Sequence, residues 1–208
     1  ALLDEGKVPL GLDLETVEPV TWDLKKGNLL YLTDKEEQMT QFVKQIARSK
    51  QKVIVLAPAY NELPEMEGVT ILSTKEDYVA GIKKMEENIQ LRLEQQKSQH
   101  EATIVLYNQL ELMNDLSMDL QSSLNYVLEK GARAGYATVA MSGSQLNRKI
   151  DEVSKSIKLY KQAIVAMRIT DQSVLNVINR PVREEPLDSQ VNYYVEDGFV
   201  RKVKILMK

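Results

Sequence analysis

The 208-residue chain is 43% hydrophobic and 27% charged, with a formal net charge of −3 and no cysteine, a composition that suits one moderate-sized globular domain and sits well away from disordered or membrane-spanning chains. Both charge signs are mixed along it, which argues against the dense basic face that a nucleic-acid binder needs to displace counterions. Zero cysteines excludes a disulfide scaffold, thiolate zinc sites and a thiol nucleophile, and fits a reducing compartment.

No run approaches about 20 consecutive apolar residues, and the start lacks the basic-then-apolar pattern of a signal peptide. Any membrane attachment is therefore expected outside this chain. The first residue is Ala1 and the last stretch, Val203 to Met207, reads as a strand, so a piece of a larger protein is the expectation.

Residues 17–24 alternate with period two around Pro19, which predicts an edge strand ending in a Lys-Lys-Gly-Asn turn before the sheet proper. Leu29 to Leu32 is a short apolar strand. From Asp34 the period changes, and Met39, Phe42, Val43, Ile46 and Ala47 fall on one face of a helix ending near Ser49. Val53 to Ala57 and Val69 to Leu72 predict two buried parallel strands separated by a Pro/Glu/Gly loop. Thr74 caps a long charged helix with the stripe Tyr78, Ile82, Met85, Ile89 and Leu93, predicted to run to about Gln99. Ala102 to Tyr107 is the best strand signal. It is followed by a helical region over 110–130, broken by polar residues near 114–119 and stopped by Gly131 and Gly135. Strands at 136–141 and 163–167 come next, and the tail from Val191 to Met207 predicts a hairpin turning at residues 196–198. Strands alternating with helices predict an α/β fold with a mostly parallel central sheet flanked by helices and a C-terminal β-hairpin, in a single domain.

Ligands in such sheets sit at the carboxyl ends of the strands, which directs attention to the residues after Leu32 and after Tyr107. Aligned without gaps to the phosphate-loop pattern GxxxxGK[ST], the first site has Thr33 and Gln38 in place of the two glycines and Met39 in place of the lysine. Only Thr40, the hydroxyl that would hold Mg²⁺, remains. Phosphate loops depend on glycines that let backbone N–H groups wrap the phosphates and on a lysine that neutralises their charge. Asp34, Glu36 and Glu37 complement a helix N-terminus but repel a triphosphate. At the second site, Asn108 and Gln109 replace the magnesium-holding and water-activating acids. An amide is a weaker Mg²⁺ ligand than a carboxylate and no base near neutral pH. Glu111 and Asp115, at i and i+4, are an alternative pair of carboxylates or simply a polar helix surface. The one histidine, His100, has no second ligand nearby in sequence, so no metal site is expected.

The ordered set of segments resembles the FtsK/SpoIIIE-type ATPase domains, and among them the last, degenerate ATPase domain of EssC-type secretion proteins. Val8 to Asp13 followed by Glu18 to Leu24 is similar to the lead-in before the phosphate-loop strand. Gly131 to Ser142 resembles the family's ARxxGIHLILATQ segment, with Ser142 at a polar sensor position. Ala163 to Ser173 follows its arginine-containing strand and Asp-Ser turn, and Tyr193 to Phe199 its terminal hairpin.

The resemblance implies a RecA-like P-loop ATPase fold within a type VII secretion motor on the cytoplasmic side of a Gram-positive bacterial membrane, attached through segments absent from this chain. It implies partners as well: neighbouring ATPase domains of the same protein, and small helical WXG-family secreted substrates with their toxin partners. Arg133 matches an arginine that serves as a trans contact in rings of related domains. With Thr40 the one position kept at the degenerate nucleotide site, the departures at Thr33, Gln38, Met39, Asn108 and Gln109 make a non-hydrolysing domain for substrate recognition or motor regulation the leading expectation, with no ATP or Mg²⁺ expected as cofactor. Two alternatives stay open: an ATPase with atypical contacts, and a DNA-translocating module.

Overall fold

The computed structural model describes residues 6–49 and 51–205. Two strands come first, β1 (Lys7–Asp13) and β2 (Pro19–Asp23). They pair antiparallel with a register shift between Pro9 and Gly11, and this β-bulge is why the residues of β1 show no clean alternation. A Cβ on Gly11 would stand 2.1 Å from the Lys204 carbonyl oxygen, so the close approach of β1 to the C-terminal strand requires glycine at that point.

A short 3₁₀ turn at Leu24–Lys26 then leads into β3 (Leu29–Leu32), wholly buried. Its successor α1 (Glu36–Ala47) buries Met39, Phe42, Val43 and Ile46, the stripe set by its 3.6-residue period. Next come β4 (Val53–Leu56), β5 (Val69–Leu72) and α2 (Lys75–Glu94), whose N-terminus is capped by the Thr74 side chain accepting from Asp77 N–H. The helix stops five residues short of the expected Gln99. Gln96 takes a positive φ of 54°, and the Arg92 guanidinium turns back to hold the carbonyls of Ala134 and Gln99.

Strand β6 (Ala102–Leu106) is followed by α3 (Gln109–Asp115) and α4 (Met118–Lys130). The expected break falls at Ser117, whose hydroxyl caps the second helix through Leu120 N–H. Gly135, with φ 86°, ends the 3₁₀ turn before β7 (Tyr136–Ser142). A further 3₁₀ turn, α5 (Glu152–Ile157), β8 (Gln162–Val165), β9 (Val191–Glu196) and β10 (Phe199–Lys204) complete the chain. The hairpin turns at Asp197 and Gly198, as the tail pattern predicts. The expected continuation of its second strand into Leu206 and Met207 lies outside the described residues.

The ten strands of the described residues form one sheet in the order β2-β1-β10-β9-β8-β3-β7-β6-β4-β5. The run from β8 to β5 is parallel, and the β9, β10, β1 and β2 side is antiparallel. The lead-in strands thus extend the same sheet, where the expectation had the sheet proper beginning after Asn28. The residue 17–24 strand is an edge strand as expected, narrowed to Pro19–Asp23. One face of the sheet packs against α2, α3, α4 and α5. On the other face lies α1, with Val8, Val20 and Trp22 of the lead-in strands in the same cluster. Trp22 is fully buried and its indole N–H donates to the Gly27 carbonyl at 3.0 Å, a core role that satisfies its one donor. Tyr193 and Tyr194, adjacent on β9, point to opposite faces and join the two different clusters.

Candidate functional site

The parallel arrangement brings the carboxyl ends of β3, β7 and β6 together, because Leu32 pairs with Ser142 and Leu106 with Ala140. Thr33, Ser142, Asn108 and Gln109 therefore share one edge of the sheet. Arg133 sits at the amino end of β7, exposed, away from that edge.

Helix α1 begins at Glu36, only three residues after β3, so Gln38, Met39 and Thr40 lie in its first turn and a half. Residues 36–40, the second part of the stretch that would form an open phosphate loop, are wound into helix. Amides along the stretch are already committed: Thr33 N–H donates to Ser142 O at 2.9 Å, Lys35 N–H to the Thr33 hydroxyl at 3.1 Å, and Gln38 and Met39 N–H to Lys35 O at 3.0 and 3.4 Å. The Thr33 hydroxyl in turn donates to the Gln38 side-chain oxygen. Met39 points into the core with Tyr31, Phe42 and Val43 and is 3% exposed. A side chain there faces away from any ligand at the strand edge.

Carboxylates occupy the space beside this turn. Asp34 accepts from the Ser144 amide at 2.8 Å and from its hydroxyl, clamping the start of α1 to the loop after β7. An added Cβ on Gly143 would stand 2.7 Å from the Asp34 oxygen, so the clamp needs a residue without a side chain there. Thr40, the one position matching a nucleotide-binding pattern, hydrogen-bonds Tyr107 at 2.8 Å and donates to the Glu36 carbonyl at 3.3 Å.

Asn108 adopts the left-handed conformation, φ 47° and ψ 64°, which asparagine tolerates better than most residues, and its amide donates to the Tyr60 hydroxyl at 2.6 Å. Gln109 is fully buried and tied at both ends. Its amide nitrogen donates to Ser154 Oγ and its oxygen accepts from Ser142 Oγ, both at 2.9 Å. The two amides are therefore separated in role, one facing the rim and the other bracing β7 against α5. Burial first, then the carboxylates of Glu36 and Glu111, push the Tyr60 hydroxyl pKa above its ordinary value. Burial and Glu36 do the same to Tyr107, against the lowering effect of the Thr40 hydrogen bond. The local field thus disfavours anions. Glu111 accepts from Asn114 and Asp115 from the Ala59 amide. Among the described residues no group of three or more His, Asp or Glu side chains is arranged to hold a metal.

Sequence reasoning did not single out Tyr107, Tyr60 or Asp34–Ser144 as partners. Tyr107 was visible beside Asn108 as the last residue of an apolar strand. The Asp34 clamp rests on strand pairing between residues 110 positions apart, for which local sequence carries no signal.

On the opposite flank of α1 a cavity of about 510 Å³ opens between the helix and the antiparallel side of the sheet. Leu10, Tyr31, Phe42, Ile164, Tyr194 and Val203 supply its apolar lining, and Lys35, Glu37, Gln38, Gln41, Gln45, Ser189 and Asn192 its polar lining. Tyr31 and Phe42 stack face to face with centroids 4.8 Å apart, which stiffens the floor. Helix α1 is the wall between this groove and the strand-edge cleft.

No family model matches the chain. Its sequence is 25% identical over 212 residues to the type VII secretion system protein EssC of Staphylococcus aureus, covering 98% of this chain and 14% of that protein. In fold it matches EssC (ATPases 2 and 3) from Geobacillus thermodenitrificans with a TM-score of 0.86 at 19% identity, over 97% of this chain and 41% of the other. Thermomonospora curvata EccC (ATPases 2 and 3), solved in complex with a signal sequence peptide, matches with a TM-score of 0.73 at 14% identity, over 98% and 41%. The chain therefore spans a small part of the curated relative and under half of these solved chains. The near end-to-end similarity to EssC and the match in architecture to the EssC and EccC ATPase regions support an EssC-type FtsK/SpoIIIE-like domain with a RecA-like fold.

Proposed function

We propose that this domain is a non-hydrolysing ATPase-like part of a type VII secretion motor, acting on the cytoplasmic side of the membrane in the recognition of secreted proteins or in regulating the motor. The observation that carries the reading is the winding of residues 36–40 into α1, with Met39 in the core and the amides of Thr33, Lys35, Gln38 and Met39 already bonded. A phosphate site needs those amides free and a cation beside them. Those four amides are taken, the position of the pattern's lysine is the buried Met39, and Asp34 and Glu36 add charge of the wrong sign.

Recognition is assigned to the groove beside α1. Its stacked aromatic floor and amide-rich rim suit an amphipathic segment whose apolar side chains seat on Tyr31, Phe42 and Ile164 while its backbone or polar face meets Gln41, Gln45 and Asn192. A signal sequence peptide bound to the T. curvata EccC structure supports this class of ligand. The proposed partners are small helical WXG-family substrates with their toxin partners, and neighbouring ATPase domains, with which the related domains occur in the solved chains. No helix among the described residues is long and apolar enough to cross a membrane, so attachment would come from other segments of the parent protein.

The test is capture of the organism's own secreted helical proteins by this domain and by Gln41→Trp, an exposed helix position at the groove. The reading expects capture by the parent sequence and its loss in the variant with the melting temperature unchanged. Equal capture by both moves recognition away from the groove, and no capture by either removes it.

A further inference from the structure

We infer that the groove beside α1 takes a helical ligand in one direction, antiparallel to α1, with the ligand's carboxyl end at Gln38 and Lys35 and its amino end at Gln45. Conformation and direction are thereby added to the recognition reading above, on which they rest. The sheet beneath the groove favours a helix over an extended peptide. Leu10, Tyr31, Ile164, Tyr194 and Val203 rise into it from β1, β3, β8, β9 and β10. Each of these strands has a neighbour on both sides, so no strand edge is open for a peptide to extend the sheet. An extended segment would lay its N–H and C=O groups over apolar side chains, at a cost for each group taken from water. A helix satisfies its own backbone except for the first four N–H and the last four C=O groups.

Two glutamines of α1 answer those two ends differently. Gln38 and Gln45 both line the groove, two turns or about 10 Å apart along the helix axis. The Thr33 hydroxyl accepts from Lys35 N–H and gives its one proton to the Gln38 side-chain oxygen. Gln38 is left to offer its amide N–H groups, which have no partner among the described residues. Gln45 is turned the other way. Its amide nitrogen donates to the Pro9 carbonyl, an oxygen that can only accept, which leaves the Gln45 oxygen as the free acceptor. A donor at the start of α1 suits the orphan carbonyls of a ligand's carboxyl end, and an acceptor two turns on suits the orphan amides of its amino end. The macrodipoles agree, since an antiparallel ligand sets its negative end beside the positive end of α1. Lys35 supports this arrangement and Glu37 opposes it. Both are exposed at the groove, and neither forms an ion pair among the described residues, so the amides and the dipole decide.

The probe is a stapled amphipathic helix of about twelve residues, with leucines at i, i+3, i+4 and i+7, an acetylated amino end and a free carboxyl end. Its binding is read by fluorescence anisotropy. Gln38→Glu keeps the oxygen that Thr33 bonds and removes only the N–H groups, so it should weaken binding roughly tenfold without lowering the melting temperature. Glu37→Gln should strengthen binding. The reverse direction gives the opposite sign for both variants. Because the chain has no cysteine, Glu37→Cys reads direction by disulfide trapping: a cysteine at the carboxyl end of the probe should be captured, and one at its amino end should not. Preferential or equal capture of the amino end, or binding indifferent to Gln38→Glu, would overturn the direction and leave the recognition reading standing. A probe that binds in none of these forms would remove both.

Discussion

The hydroxyl of Thr40 lies 2.8 Å from the hydroxyl of Tyr107, so the one side chain that matches a Mg²⁺-holding pattern is already paired with a phenol at the end of β6. Tyr107→Phe removes that partner together with the hydroxyl's longer bond to the Glu36 carbonyl at 3.4 Å, and keeps the ring in the core. We expect it to cost about 0.5–1.5 kcal/mol of stability, read from urea unfolding, and to leave nucleotide affinity where it was.

Restoring the lysine of the phosphate loop should harm the protein. Met39→Lys places an ammonium where the native side chain is 3% exposed among Tyr31, Phe42 and Val43. An unpaired buried charge of this kind costs about 3–5 kcal/mol. The expected outcome is a lowered denaturation midpoint with no gain of MgATP binding; a stable variant that binds nucleotide would show that α1 unwinds to form a loop.

Gln109 braces Ser142 and Ser154. Gln109→Leu conserves the bulk but leaves two buried hydroxyls without that partner, for about 1–3 kcal/mol each. Thermal melting checks this, and a change within experimental error would mean the bridge is not made in solution.

How much of this was readable in advance depends on range. The strands at 29–32 and 102–107, the α2 stripe and the break before Ser117 follow from local periodicity and capping, and they were legible. The β1 strand was hidden by its bulge and by Pro9 and Gly11. The overrun of α2 came from a polar tail that continues the composition of the helix, whereas Arg92 ends it through contacts with Gln99 and Ala134. At the site, the identities of Thr33, Met39, Asn108 and Gln109 were plain. Their destinations were not: that Met39 turns inward and Gln109 spans to Ser154 depends on where β7 and α5 pack. The groove joins α1 to strands more than 100 residues away and had no local signature.

Alkaline pH should expose the packing of the tyrosines. Burial raises the hydroxyls of Tyr31, Tyr78 and Tyr194 to about 12, from about 10 in an unfolded chain. A phenol whose folded value is raised contributes stability that is complete below the unfolded value and is lost as pH rises through the folded one. Stability should fall between about pH 10 and 12, with tyrosinate absorbance rising in step with unfolding. Tyrosines that titrate near pH 10 in the folded protein would contradict the buried placement.

The Asp34 clamp gives a backbone test. Gly143→Ala puts a methyl 2.7 Å from the Asp34 carboxylate, which should destabilise by about 1–3 kcal/mol and speed amide exchange at Ser144 and Lys35. Unchanged exchange at both amides would show that the carboxylate moves aside at no cost.

The central claim, that the strand-edge cleft has exchanged nucleotide turnover for a self-satisfied structure, is tested most directly by calorimetric titration of MgATP into the domain, run beside a phosphate-release assay. The account predicts no saturable heat and no phosphate release, with Thr40→Ala indistinguishable from the parent. Micromolar binding that disappears in Thr40→Ala, accompanied by phosphate release from the parent chain, would contradict it.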